Sequence, residues 1–289
     1  MKSYQRYRVQ GNQPIDIASL ATSPAEDVDT DRKKLKKQLK KEVAKISDLQ
    51  EKLYAEDSRS LLLVFQAMDA AGKDSTIRSV LTGVNPAGFQ VYSFKQPSKE
   101  ELDHDFLWRT HSKMPERGRI GVFNRSYYEE VLVVKVHPEY LGGQRITLPE
   151  DAGTFWSQRY ESINSSEQHL VNNGTQVLKF FLNVSADEQK HRFMSRLQTP
   201  EKNWKFSSSD LKERALWPHY QQAYQDLLSE TSTEAAPWFA IPADNKPYMR
   251  WQVAQIIRHT LETMDPQFPV VDADDKARLG DYERQLLSE

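Results

Sequence analysis

Five short apolar runs, each four to eight residues long, break up an otherwise polar chain: Leu61–Phe65, the GFQVYSFK segment at 88–95, Ile120–Phe123, Val177–Val184 and Ala236–Ile241. Runs of this length, rich in branched and aromatic residues, read as strands. Where apolarity is nearly continuous, as over 177–184, both faces are expected to be covered. The intervening stretches carry a helical period instead. Leu35, Leu39, Val43, Ile46, Leu49 and Leu53 recur every three or four positions over 29–57, with Asp29 and Asp31 at the positive end of the dipole. Further helices are expected over 99–109, 155–171, 186–198 (Phe193 and Leu197 inward), from Asp210 through Trp217 and Tyr224, and over 249–264. The 131–141 segment is ambiguous, with His137-Pro138 as a break. Strands alternating with helices predict an α/β three-layer sandwich around a central parallel five-stranded sheet.

The first strand runs straight into FQAMDAAGKDST at 65–76, and the helical run Ile77, Val80, Leu81 follows. Strand, small-residue loop, Gly-Lys and helix is the order of a phosphate-binding loop. A helix N-terminus has unpaired N–H groups and attracts anions. Ala70, Ala71 and Gly72 keep side chains out of the backbone's way, Lys73 brings a mobile charge to the transferring phosphoryl oxygens, and Ser75 and Arg78 follow on the helix. Against G-x-x-x-x-G-K-[ST], Ala67 replaces the first Gly and Asp74 the hydroxyl that usually ligates magnesium. Asp69 is the substitute expected to hold Mg2+, because carboxylates bind that ion alongside substrate phosphates.

The third strand ends in Asn124-Arg125, where such a fold usually places an acid. Asn124 can orient a metal-bound water, and Arg125 can grip phosphate or pair with Glu129 or Glu130. A second basic assembly follows the fourth strand: Arg192 and Arg196 one helical turn apart, then TPEKNWKFSSSD with Lys202 and Lys205, then another helix. Such a hairpin at 186–215 reads as a kinase lid that closes cations over the transferred phosphate. DNKP at 244–247 lacks the acid of a guanine-reading N-K-x-D, since Tyr248 stands there, which disfavours a GTPase switch.

Residues 1–28 lack periodicity and form an arm laid across the domain or a neighbouring subunit; 29–265 form the catalytic unit and 266–289 a polar tail. Net charge is −2, so nucleic acid is not an expected partner. Seven lysines between 33 and 45 form a solvated face or a wall for a polyanion. There is no cysteine, which excludes disulfides and thiolate metal sites, and no apolar stretch suits a signal core or a membrane span, so a cytoplasmic enzyme is expected.

AMDAAGKDST, GVNPAG, SFKQPS, FNRSYYEEVLV, RFMSRLQTPEKNWKFS and TSTEAAPWFAIPADNKPY, spread in order from about residue 30 to 265, resemble the polyphosphate kinase 2 family. The resemblance implies a P-loop kinase-like fold with a helical lid, and phosphoryl transfer between inorganic polyphosphate and adenine or guanine nucleotides with magnesium. It matches Asp69, Lys73, Asn124 and Arg125 to the active-site motifs, and Arg192, Arg196 and Lys205 to lid positions. Asn124 with Glu129 resembles the subgroup accepting both mono- and diphosphates. A donor groove lined by some of Arg78, Arg117, Arg119, Lys205 and the lysine-rich helix is expected, and a homo-oligomer fits the charged helix and arm. An ATP-dependent nucleotide or nucleoside kinase and a non-catalytic nucleotide- or polyphosphate-binding module are the alternatives.

Overall fold

The computed structural model of the chain describes residues 5–11 and 13–289. Its strands are β1 (Ser60–Gln66), β2 (Phe89–Ser93), β3 (Ile120–Asn124), β4 (Thr175–Asn183) and β5 (Trp238–Pro242). They form one parallel sheet in the order β2-β3-β1-β4-β5. The helices are α1 (Arg32–Glu56), α2 (Lys73–Val80), α3 (Lys99–Leu102), α4 (Trp108–His111), α5 (Val133–Val136), α6 (Ala152–Asn172), α7 (Ala186–Gln198), α8 (Ser208–Ala215), α9 (Trp217–Thr231), α10 (Lys246–Met264) and α11 (Ala273–Leu287). No helix among the described residues is long and apolar enough to cross a membrane.

β1 sits in the middle with every residue buried, as its unbroken apolar run demands, while β2 at the edge is largely exposed. From β1 the chain crosses to β2 and returns through β3 on one side, then adds β4 and β5 on the other. The loops leaving β1, β3 and β4 therefore diverge at the carboxyl ends of the strands, opening the crevice where ligands bind in such sheets. α1, α10 and α2 pack together, while α6, α9 and α5 form the other helical group.

The arm belongs to this domain. Val9 donates to Trp238 O at 2.8 Å and Ala240 to Tyr7 O at 2.9 Å, so the arm makes an antiparallel bridge along the free edge of β5. Farther on, Ile15 and Ile17 donate to Ser229 and Gln225 of α9, and Val9 and Ile17 are buried. Residues 1–4 and 12 of the expected arm lie outside the described residues.

Three helical expectations need correction. Residues 99–109 do not form one helix: a Ser98–Glu101 capping box starts α3, and the Asp105 side chain accepts from Leu107 N–H in a turn before α4. The helix through Trp217 is two, α8 and α9, because Pro218 has no N–H to continue the first and fits the opening turn of the second. Leu197 does not face inward with Phe193; it is 47% exposed.

One buried ion pair ties the sheet to α6. Lys179 of β4 is fully buried, with Nζ 2.5 Å from Glu167 and 2.6 Å from Thr231 O. The Tyr127 and Tyr128 hydroxyls each donate to the other Glu167 oxygen at 2.8 Å. Burial pushes the Lys179 ammonium below its ordinary range, and Glu167 pulls it back. Lys179→Met strands a buried carboxylate and is expected to cost about 3–5 kcal/mol, read as a lower urea midpoint. Adding Glu167→Gln should recover much of that loss, whereas a double variant as unstable as the sum of the singles would refute the pairing.

Candidate active site

At the carboxyl end of β1 the chain turns through residues 67–72 into α2. Ala70 takes φ 62° and Gly72 φ 111°, so two small residues on either side of Ala71 bend the backbone through the left-handed region. A Cβ at Gly72 would lie 3.4 Å from Met249 and 3.5 Å from Ser75 Oγ, so α2 and α10 close on the loop from outside. Gly72 offers no side-chain cap, which leaves the first N–H groups of α2 for an anion. Lys73 Nζ donates to Ala67 O at 2.7 Å, folded back within the loop. Burial, then Arg125, push this ammonium down to about 8, against the pull of Asp69, Glu129 and Asp74.

The adjoining strand end supplies the countercharge. Arg125, at φ 63°, donates its N–H to Phe65 O, which turns its side chain out of the strand line. Its guanidinium sits 3.0 Å from Asp69 and 3.7 Å from Glu129. Glu129, then Asp69, hold Arg125 firmly charged against its burial. Glu129 is itself fixed by Gln66 Nε2 at 2.8 Å. Asn124 Nδ2 donates to Asp74 Oδ1 at 2.6 Å. The two departures from the motif therefore meet: the acid missing at the strand end is carried by the first turn of α2, and the amide holds it.

Beside this cluster lies a cavity of about 620 Å³. Phe94, Leu102, Phe106 and Tyr140 line its apolar part, with Lys95, Arg109 and Gln144 among them, and Asp69 and Arg125 stand in its wall. Asp210, Glu213, Arg214, Tyr220 and Tyr224 wall it from the α8–α9 side. Glu213 accepts from Tyr220 at 2.6 Å and lies 2.9 Å from His137 Nε2, clasping α8 to the segment after α5. Burial opposes protonation of His137, but Glu213 and Glu139 outweigh it and raise its pKa. Asp210 is raised by burial and by Asp69.

Residues 29–269 match the family described as Polyphosphate kinase 2. The chain belongs to the polyphosphate kinase 2 family. It is 54% identical over 250 residues to the ADP-polyphosphate phosphotransferase of Rhodopseudomonas palustris, covering 86% of each chain. It is 47% identical over 225 residues to the AMP/ADP-polyphosphate phosphotransferase of Meiothermus ruber, covering 78% of this chain and 80% of that one. The crystal structure of Polyphosphate Kinase 2 from Arthrobacter aurescens TC1 superposes with a TM-score of 0.90 at 35% identity, over 100% of this chain and 98% of that one.

Within this polyphosphate kinase 2 chain, Asp69, Ala70, Ala71, Gly72, Lys73, Asp74, Ser75, Asn124, Arg125 and Glu129 come together at one end of the sheet. Arg117 and Arg119 do not join them. They precede β3, where Arg117 donates to Ser58 O and Arg119 stacks on Tyr54. That is the amino end of the strands, about 16 Å from the loop by strand rise, as their place before Ile120 implies for a parallel sheet; basic character alone suggested a groove. Arg192 is a second correction. It is buried, and its guanidinium donates to Glu188 and to the carbonyls of Ala70, Ala71, Ala243 and Asp244. With those donors engaged it clamps the loop backbone to α10's entry instead of facing phosphate. Arg196 reaches Asp210 at 3.5 Å and Lys205 O at 3.2 Å, bracing the lid, while Lys205 and Arg78 are exposed. Sequence reasoning missed Phe94, Lys95 and Arg109, although they lie in or near SFKQPS; nothing in that motif states that it faces a cavity.

No cluster of three or more acidic, His or Cys side chains suited to a metal occurs among the described residues. Asp69 nevertheless fits magnesium held partly by substrate: only one of its oxygens is engaged by Arg125, and it is partly exposed.

The folded-state value of Lys73 lies below that of a free lysine. Its contribution to stability therefore grows as pH rises from about 8 toward the free-lysine range. Its anion affinity runs the other way. Pyrophosphate binding is expected to weaken as pH rises through about 8, and Lys73→Arg, which stays charged, should flatten that decline. An identical profile in the variant would remove Lys73 from anion binding.

Proposed function

We propose that this protein transfers a phosphoryl group reversibly between inorganic polyphosphate and nucleotides, phosphorylating ADP and AMP. One observation carries the reading: a phosphate-gripping loop with a half-buried lysine adjoins a mixed apolar and polar cavity, with Arg125 and Asp69 between them. The two relatives' names support ADP as acceptor, and one supports AMP. The base fits the apolar part of the cavity among Phe94, Phe106 and Tyr140. Whether adenine or guanine is taken turns on Lys95, Arg109 and Gln144, the polar groups beside it.

The chemistry needs positioning more than acid–base help. A nucleotide's terminal phosphate is largely dianionic at neutral pH, with its second pKa at about 6. Its oxygen attacks the terminal phosphorus of polyphosphate; the new P–O bond forms as the bridging P–O bond breaks, and the electron pair leaves on the shortened chain. Two polyanions must approach in line, so cations aimed at the transferring group supply most of the stabilisation. Lys73 and the N–H groups of α2 hold the donor end, and Arg125 faces both phosphates. Asp69, with Asp74 in support, would hold magnesium, which would supply further neutralisation of phosphate charge. Lys202 and Lys205 lie on the exposed lid segment and close over the site when it fills. Self-association fits the exposed Leu279, Leu286 and Leu287 of α11.

Incubation with magnesium, long-chain polyphosphate and AMP or ADP is expected to give ADP and ATP by chromatography. Lys73→Ala and Arg125→Ala should each lower kcat by at least about 10²-fold, the scale of losing one transition-state donor. Product from ADP alone would remove AMP from the proposal. Activity only with ATP as donor would replace it with an ordinary kinase, and tight binding without turnover would leave a binding module.

A further inference from the structure

Buried hydroxyls in folded proteins are paired, because one left alone gives up its water and gains nothing in return. Six tyrosines are buried among the described residues, and all but one obey. Tyr127 and Tyr128 donate to Glu167, Tyr220 donates to Glu213, and the Tyr160 and Tyr248 hydroxyls bond to Lys135 and Tyr7. Tyr224 of α9 is the exception. It is 3% exposed, and its hydroxyl makes no hydrogen bond among the described residues. It nevertheless lines the cavity beside the phosphate loop.

The sheet fixes where this phenol lies. Gln66, the last residue of β1, pairs in register with Phe181 of β4, and residues paired across parallel strands project to the same face. On that face Gln66 holds Glu129 at 2.8 Å, and Phe181 stacks on the Tyr224 ring with centroids 4.5 Å apart. The phenol is thereby set at the carboxyl end of the strands, where the charges of Glu129, Arg125 and Asp69 all act on it. Glu129 is engaged on both oxygens, by Gln66 and by Arg125, which leaves Tyr224 without it. Tyr220, one turn earlier on α9, is committed to α8 through Glu213. Burial, then Glu129, raise the Tyr224 phenol well above its ordinary range, against the pull of Arg125. It therefore keeps its proton through the neutral range and stands as a donor.

We propose that the Tyr224 hydroxyl contacts substrate, donating to a non-bridging oxygen of the acceptor nucleotide's terminal phosphate beside Arg125. The proposal rests on the functional reading above and adds a residue to that same site. A dianionic phosphate brought to this place meets two like charges, Glu129 and Asp69, and one guanidinium that both of them already share. A neutral O–H supplies a hydrogen bond to the anion and needs no countercharge of its own; bonds of this kind, to a charged acceptor, are the stronger ones. The ring is already fixed by its stack on Phe181, so little ordering is lost when the phosphate arrives. AMP and ADP each present a terminal phosphate, so the contact serves both.

Tyr224→Phe keeps the ring and its stack and removes only the oxygen. With magnesium and long-chain polyphosphate, the variant is expected to lose about tenfold or more in kcat/KM for AMP and ADP alike, the size of one hydrogen bond to a charged group. KM for polyphosphate should stay at the wild-type value. AMP binding, measured by calorimetry, should weaken by a similar factor, while binding of adenosine, which has no phosphate, should not change. The melting temperature separates contact from scaffold. Removing an unpartnered buried hydroxyl should leave it no lower than in wild type, whereas losing a structural hydrogen bond lowers it. Three results overturn the contact and leave the functional reading standing: wild-type kcat/KM for both acceptors, adenosine affinity lost as fully as AMP affinity, or activity lost only together with melting temperature. A wild-type protein that transfers nothing from polyphosphate to either nucleotide overturns the functional reading, and the contact with it.

Discussion

One guanidinium holds the phosphate loop in shape. Arg192 sits in the middle of α7, is nearly inaccessible to solvent, and spends its donors on loop carbonyls, on the carbonyls after β5 and on Glu188. Carbonyl oxygens of a tight loop cannot all be satisfied by the loop itself, and an unpaired buried acceptor is costly. By meeting them from one rigid fork, Arg192 fixes the ends of β1, α7 and β5 relative to one another. The positive φ at Ala70, the open N-terminus of α2 and the approach of Met249 to Gly72 all depend on that registry.

Electrostatic division of labour follows from it. Arg192 has its donors taken up by backbone carbonyls and by the Glu188 carboxylate. Lys73 is held in the loop with one carbonyl and several flanking charges, so its proton is loosely kept. Arg125 is bracketed by two carboxylates and stays charged. Three cations within one crevice thus have three different degrees of commitment, and only their partners distinguish them. The Lys179–Glu167 pair adds a fourth case, sealed in the core behind the strand that leads to α7.

The strands were legible because buried parallel strands must be nearly all apolar, and all five fall within three residues of their expected places. The loop was legible because its chemistry is local. What was not legible is anything decided by a partner distant in sequence. Asn124 and Asp74 looked like two separate losses until the sheet brought them to 2.6 Å. Arg117 and Arg119 are a different case: their place before Ile120 already implies the amino end of a parallel strand, and charge alone suggested a groove. Arg192 looked like a lid cation because its spacing from Arg196 reveals a helix, not what the helix rests on.

The bridge between the arm and β5 carries a consequence for how the polypeptide is made. Arg8 is synthesised well before its sheet partner Phe239, which comes more than two hundred residues later. At roughly 5–20 residues per second on the ribosome, the arm waits on the order of ten seconds or longer for the edge it closes. Until then the nascent chain displays the buried face of Val9 and Ile17 with nothing to cover it, and the last strand emerges with one side unclaimed. Sealing the sheet is therefore among the final acts of folding, and the arm, made long before β5, is among the last segments to find its place.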